Sequence, residues 1–287
     1  MRGFRVAVAQ IAPTLGDLAK NLALHEKMAG DAIAQSANLL IFPELSLTGY
    51  FLKDQVPSVA LQPDAPALQP LRELSRRIAL VLGFVEEAPG HRFYNASAYF
   101  EGGEIRHIHR KVYLPTYGIF DEARYLAAGE RIRAFDTALG RMAILICEDL
   151  WHPAVPAITA WDGAEIIVCP SASPGRGLGQ TGPFQNASTW ERTIRTCGDL
   201  LTSFVIYANR VGYEDGACFW GGSEAVAPSG EPLAKARYLE EELLLADLDP
   251  GSLRRARVAN PLLRDERLEL TLREVTRIMQ ARRTDGE

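Results

Sequence analysis

Short aliphatic segments of four to eight residues alternate along this chain with longer stretches of helical period, and that alternation constrains the fold more than any other feature. Strands that read as near-continuous apolar runs need cover on both faces, which helices on the connections supply, so the chain reads as a layered α/β protein. Strands are expected near 4–10, 37–42, 78–84, 94–100, 105–109, 141–146, 165–169, 203–208, 224–227 and 243–247. Helices fit near 17–35, 66–77, 153–162, 186–202 and 265–282. In the first helix Leu18, Leu22, Met28, Ala29, Ala32 and Ile33 recur at helical spacing, so one face turns toward a sheet. A weak internal echo links Leu39-Leu40-Ile41-Phe42-Pro43 with Ile166-Ile167-Val168-Cys169-Pro170, each an aliphatic strand closed by proline and preceded by strand and helix. Two such halves placed face to face give sheets inside and helices outside. Pro63, Pro66 and Pro70 lie between a loop and a helix rather than at a shift of composition, so one domain over residues 1–287 is expected.

With 31 Lys+Arg against 36 Asp+Glu the formal charge is -5, leaving no broad basic field for nucleic acid or an anionic membrane. Gln10 interrupts the opening apolar stretch short of a secretory core, and no run approaches the roughly 18 apolar residues of a membrane span. Cys147, Cys169, Cys197 and Cys218 are far apart and form no CxxC pair. A reducing, cytoplasmic setting with free thiols is therefore expected, with a small molecule or another protein as partner.

Three residues stand where strands end. Cys147 closes Ala143-Ile144-Leu145-Ile146 and precedes Glu148-Asp149-Leu150-Trp151-His152-Pro153, a strand-to-helix turn. Such a turn exposes a side chain while following backbone N–H groups converge, which suits a nucleophile with an oxyanion hole. A cysteine after an apolar run is also an ordinary core residue. Glu44, in Phe42-Pro43-Glu44-Leu45-Ser46, and Lys111, in His109-Arg110-Lys111-Val112-Tyr113, likewise have ordinary surface readings. A Glu, a Lys and a Cys in that order, each at a strand end, nevertheless form a specific set.

In this set the sequence resembles the carbon-nitrogen hydrolase (nitrilase) superfamily, whose signature is a Glu, Lys, Cys triad in that chain order. Phe42-Pro43-Glu44 looks like the glutamate motif, Arg110-Lys111-Val112-Tyr113-Leu114-Pro115 the lysine motif and Leu145-Ile146-Cys147-Glu148-Asp149 the cysteine motif. The resemblance implies a four-layer αββα sandwich, no metal and no organic cofactor. It is strongest to the glutaminase domain of glutamine-dependent NAD synthetases, through the stretch from Tyr113 to Tyr125 and through Cys147-Glu148-Asp149-Leu150-Trp151. That branch carries a tyrosine six positions after the glutamate and another six after the lysine, which Tyr50 and Tyr117 match. The synthetase domain's Ser-Gly-Gly-x-Asp-Ser loop has only Gly221-Gly222-Ser223-Glu224 as a counterpart, so synthetase chemistry is not expected of these residues.

What the resemblance implies for the site is a base at Glu44, a nucleophile at Cys147, and Lys111 with the Glu148 backbone N–H at the oxyanion. Glu122 is expected as a second acid, Tyr50 and Tyr117 as borders of the acyl pocket with hydroxyls for the amide, and Trp151 as a further substrate neighbour. Ser173 and Arg176, on the loop after the strand 165–169, are expected to read the substrate head group. The expected reaction is hydrolysis of a small linear amide, glutamine-like or an ω-amide, by a homo-oligomer of two or more copies. Other readings are a glutaminase subunit serving a separate synthetase, a nitrilase or N-carbamoyl amine hydrolase, and a catalytically idle binding module.

Two further motifs invite different chemistry. His107-Ile108-His109 puts two imidazoles on one strand face, as a metal hydrolase requires, yet His25, His91 and His152 offer no ligand spacing to complete it. The run from Gly175 to Gly182 suggests a phosphate loop, but Pro183 and Phe184 stand where Lys and Ser or Thr are needed.

Overall fold

The computed structural model describes residues 2–176 and 184–284. Strands β1 (Phe4–Gln10), β2 (Leu39–Ile41), β3 (Ala79–Ala88), β4 (Arg92–Glu101) and β5 (Glu104–Arg110) begin one sheet. A second is begun by β6 (Ala134–Thr137), β7 (Gly140–Ile144), β8 (Ile166–Ser171) and β9 (Phe204–Asn209). The hairpin β10 (Val211–Glu214) and β11 (Ala217–Trp220) stands apart, β12 (Glu224–Val226) and β13 (Pro232–Lys235) complete the second sheet, and β14 (Glu242–Leu248) returns to the first. The orders are β14-β1-β2-β3-β4-β5 and β13-β12-β9-β8-β7-β6, six strands each.

Alternation along β1 explains the layering. Val6 and Val8 join Leu39, Ile41, Val81 and Tyr99 in the core shared with the second sheet, while Ala7 and Ala9 turn to Met28, Ala29 and Ala32 of the helix Leu18–Ala34. The helix Gln69–Leu74 covers the same outer face through Leu71. Ala187, Trp190 and Ile194 of the helix Gln185–Leu200, and Val155 of Ala154–Trp161, pack on the second sheet. The result is the expected αββα sandwich. The internal echo has a structural counterpart, since β2 runs parallel to β1 and β8 parallel to β7, each pair joined by a helix. Pro170 departs from the echo because it lies inside β8, opposite Ala208 of β9.

The strand and helix pattern omits β6, β10, β11 and β13, which are short and either edge strands or interrupted by glycine. It also omits the helix Pro250–Ala259, where Asp249 accepts from the Gly251 and Ser252 N–H groups and Pro250 stands at a first-turn position that needs no donor. The helix expected over 66–77 shortens to Gln69–Leu74 after a 3₁₀ turn at Pro66–Leu68. Among the described residues no helix is long and apolar enough to cross a membrane.

One glycine fixes how the Glu44 turn lies on the sheet. A Cβ at Gly83 of β3 would stand 2.3 Å from the Leu45 N and 2.9 Å from the Glu44 carbonyl carbon. Backbone on both sides cannot yield, so Gly83→Ala is expected to cost about 3 kcal/mol of stability and to displace Glu44. Urea unfolding and ammonia release measured on the same preparation check both effects.

Candidate active site

Glu44 follows β2 and Lys111 follows β5, both on the first sheet, whereas Cys147 follows β7 on the second. The three strand ends meet between the sheets. Lys111 is 1% exposed, and its Nζ donates to Glu44 Oε1 at 2.7 Å and to Glu122 Oε1 at 2.6 Å. Glu44 also accepts from Asn95 Nδ2 at Oε1 and from the Ala172 N–H at Oε2, both at 2.7 Å. Glu122, at the start of the short helix Glu122–Tyr125, accepts from the Tyr50 hydroxyl. Cys147 begins a 3₁₀ turn, Cys147–Trp151, with φ at +45°, and Leu45 beside Glu44 has φ at +48°. Non-glycine residues held in this region concentrate at functional sites.

The charges follow from burial and neighbours. Burial pulls the Lys111 ammonium down, but Glu122 and Glu44 outweigh it and hold the group well above its ordinary value, a cation at neutral pH. Burial pushes the Cys147 thiol far up, Glu44 adds to this, and Lys111 pulls back. The resting nucleophile is thus a neutral thiol that needs a proton acceptor at hand. Burial also raises Tyr50 well above the usual phenol range, aided by Glu122, so it stays a donor.

Glu122 is raised from 4.5 to about 7 by burial, against the pull of Lys111. The folded protein therefore keeps a proton on Glu122 that the unfolded chain releases between about pH 4.5 and 7. This contribution to stability is present in full below that window and is lost as pH rises through it. Glu122→Gln is expected to show a flatter dependence of melting temperature on pH across the window than wild type, measured from pH 4 to 8. Parallel curves would show that Glu122 does not hold the proton. Among the described residues its Oε2 is buried with no hydrogen-bond partner, the position such a proton would take.

The other expected site residues divide. Tyr117 donates to Glu148 Oε2 at 2.8 Å and is half exposed at the rim; burial and then Glu148 push its phenol up to about 12. The Arg176 guanidinium lies over the rings of Phe120 and Tyr117, at 4.5 and 5.1 Å, and its Nη2 is buried without a hydrogen-bond partner among the described residues. The Tyr50 and Tyr117 hydroxyls each donate their proton to a carboxylate, so toward an amide they can act only as acceptors. The buried Ser173 hydroxyl accepts from Trp190 Nε1 at 2.9 Å and Trp220 Nε1 at 3.5 Å. Trp151 packs edge-on against Trp190 and makes no hydrogen bond to the Glu44, Lys111, Glu122 group among the described residues. A cavity of about 90 Å³ lined by Leu45, Tyr50, Phe51, Val56 and Tyr125 has Glu122 in its wall.

The two strand histidines have separate partners. His107 stacks on Phe135 at 4.0 Å, while His109 is buried and its Nε2–H donates to Asp149 Oδ2. Among the described residues no group of three or more His, Cys, Asp or Glu side chains is placed to hold a metal. The phosphate-loop motif lies outside the described residues from Gly177 to Pro183. Asn95 went unnoticed in the sequence, although asparagine within a strand pattern is depleted and is itself a signal.

Residues 5–258 match the family described as carbon-nitrogen hydrolase. The glutamine-dependent NAD(+) synthetase of Thermotoga maritima is 31% identical over 269 residues, covering 91% of this chain and 45% of that protein. The chain thus spans about half the length of that relative. The chloroplastic omega-amidase of Arabidopsis thaliana is 31% identical over 283 residues, covering 93% of this chain and 73% of the relative. An amidase structure from Nesterenkonia sp. superposes with a TM-score of 0.79 at 28% identity, covering 94% of this chain and 95% of that one.

Proposed function

The chain belongs to the carbon-nitrogen hydrolase family, and on that premise we propose that it is an amidase cleaving a small linear amide, glutamine-like or an ω-amide, through a thioester on Cys147. The observation that carries the reading is the count of lone pairs on Glu44. A carboxylate offers about four acceptor positions, and three are filled by Lys111, Asn95 and the Ala172 N–H. One position on Oε2 is left for a proton.

In this reading the Cys147 thiol gives its proton to Glu44 as sulfur attacks the amide carbonyl carbon. The C–S bond forms, and the oxyanion is met by Lys111 and the Glu148 backbone N–H. Collapse breaks the C–N bond while Glu44 returns the proton to nitrogen, and ammonia leaves. Water then gives a proton to Glu44 and attacks the thioester. The C–S bond breaks, the thiol is restored, and the carboxylic acid departs. Glu122, bound to the same ammonium, holds Lys111 in place and offers Oε2 to the water.

The cavity beside Tyr50 suits a short methylene chain, and Arg176 Nη2, without an acceptor among the described residues, suits a carboxylate at the far end of the substrate. Both favour a substrate of the glutamine or ω-amide type, in keeping with the omega-amidase and synthetase relatives. Glutamine, a short aliphatic amide, a carbamoyl amine and a matched nitrile, compared by kcat/KM for ammonia release, test the class. An amide bearing a distal carboxylate is expected to lead. A nitrile or carbamoyl compound ahead by about tenfold, or 1.4 kcal/mol of barrier, would overturn it. The synthetase relatives also support ammonia delivery to a separate synthetase, which would show as ammonia release stimulated by that partner. Leu268, Leu272, Val275 and Met279 form an exposed apolar stripe on the helix Leu268–Thr284, which supports a homo-oligomer measurable by sedimentation.

A further inference from the structure

Cys147 rides on one sheet and Lys111 on the other, so something must hold the two sheet edges in register at the distance chemistry demands. Asp149 is completely buried two residues beyond Cys147. Its Oδ1 accepts from the Val112 and Tyr113 N–H groups at 3.0 Å each, the two residues that follow Lys111. Its Oδ2 accepts from the Ile146 N–H at 3.0 Å, just before Cys147, and from His109 Nε2 at 2.8 Å, two residues before Lys111. Tyr113 stacks on His152 at 3.5 Å and adds an apolar contact between the same segments.

We propose that Asp149 is a positioning residue for the amidase site, a buried carboxylate that ties the turn of the nucleophile to the strand end of the lysine. The proposal rests on the amidase reading for its catalytic meaning and on these four hydrogen bonds for its geometry. A capping role alone would use the Ile146 N–H, as the short turn Cys147–Trp151 shows. The other three donors belong to the lysine segment, 36 to 40 residues away in sequence. A buried carboxylate is costly to desolvate and is retained where its lone pairs are filled. Here all of its acceptor positions are used, and each one fixes backbone or side chain beside a reacting group. Displacement of one segment by about 1 Å is enough to cost about 100-fold in rate.

The consequence reaches Cys147 through Lys111. The ammonium draws the thiol down against burial, so a lysine that drifts away leaves the thiol harder to ionise. Asp149→Asn keeps the shape and can still accept from Val112 and Tyr113, but its amide nitrogen meets the Ile146 N–H as donor against donor. The full chain is to be assayed in two ways: steady-state ammonia release, and the pH dependence of Cys147 alkylation by iodoacetamide, followed by peptide mass mapping. For Asp149→Asn, kcat is expected to fall about 100-fold with KM within about threefold. The alkylation midpoint is expected to move to higher pH. A carboxylate that merely stabilises the fold would lower the melting temperature and leave that midpoint where it is. An unmoved midpoint with kcat per folded molecule within about fivefold of wild type overturns the proposal. Should Asp149→Asn fail to fold, His109→Leu removes one donor and keeps the three backbone bonds. It is expected to shift the midpoint in the same direction, and no shift overturns the proposal. Alkylation requires no substrate, so a wild-type chain that releases no ammonia sinks the amidase reading while leaving this measurement to decide on Asp149.

Discussion

Cys147→Ala is expected to lower ammonia release by about 10⁴- to 10⁶-fold while the protein remains folded. The two halves of this expectation have separate physical grounds. Turnover falls because the thioester is the only covalent carrier in the proposed route, and a water placed in the cavity left by sulfur lacks its nucleophilicity. The fold persists because deleting one atom from a buried side chain costs about 1 kcal/mol, and alanine tolerates the backbone angle at this position no worse than cysteine. The other thiols supply the control. Burial pushes Cys169 to about 12 and Cys197 to about 11. Cys147 is raised by burial too, so a low resting pKa cannot be what distinguishes it. The distinction is the acceptor position on Glu44 and the charge on Lys111. An electrophilic amide analogue should therefore add to Cys147 and to no other cysteine by peptide mass mapping. Activity lost with a label on Cys169 or Cys197 would contradict the assignment.

Period and punctuation made much of this legible before any coordinates. The alternation through Val6, Ala7, Val8 and Ala9 announces a strand with two dry faces, and the spacing of Met28, Ala29 and Ala32 announces the helix that covers one of them. Local signals of this kind fix which residues stand at strand ends, which is why Glu44, Lys111 and Cys147 could be picked out. Partners across space are another matter. Ala172 donates to Glu44 from 128 residues away, and Asn95 from 51. Those bonds depend on which strands become neighbours and in what register, and no local window contains that. The same holds for hydroxyl direction. Tyr50 and Tyr117 have matching offsets in sequence, yet one points to Glu122 in the interior and the other to Glu148 at the rim. Ser173 turns toward two indoles because Trp190 and Trp220 arrive from elements distant in sequence. Edge strands such as β13 escape for a simpler reason: exposed on most positions, Pro232–Lys235 has no apolar period to read.

Lys111→Arg is expected to lower kcat/KM by about 1,000-fold although the charge is kept. An ammonium has three N–H donors. Glu44 takes one and Glu122 a second, at 2.7 and 2.6 Å, and among the described residues the third has no acceptor, which leaves it for the oxyanion in the proposed route. The three directions are tetrahedral, so one nitrogen can serve two acids below and a developing charge above. A guanidinium has five donors, but they lie in one plane, and filling both acids turns that plane away from the carbonyl oxygen. It is also larger than the 1%-exposed site allows, and such overpacking costs about 1 to 3 kcal/mol. Lys111→Met separates charge from shape. It leaves Glu44 and Glu122 buried without their cation, a loss of about 3 to 5 kcal/mol unless one of them binds a proton, so its stability should recover more steeply than that of Lys111→Arg as pH falls. Melting curves from pH 5 to 8, alongside kcat/KM for the preferred amide, distinguish the cases. If Lys111→Arg kept more than about a tenth of wild-type activity, about 1.4 kcal/mol of barrier, the third N–H would have no place at the oxyanion, and Lys111 would serve only to hold the two acids together.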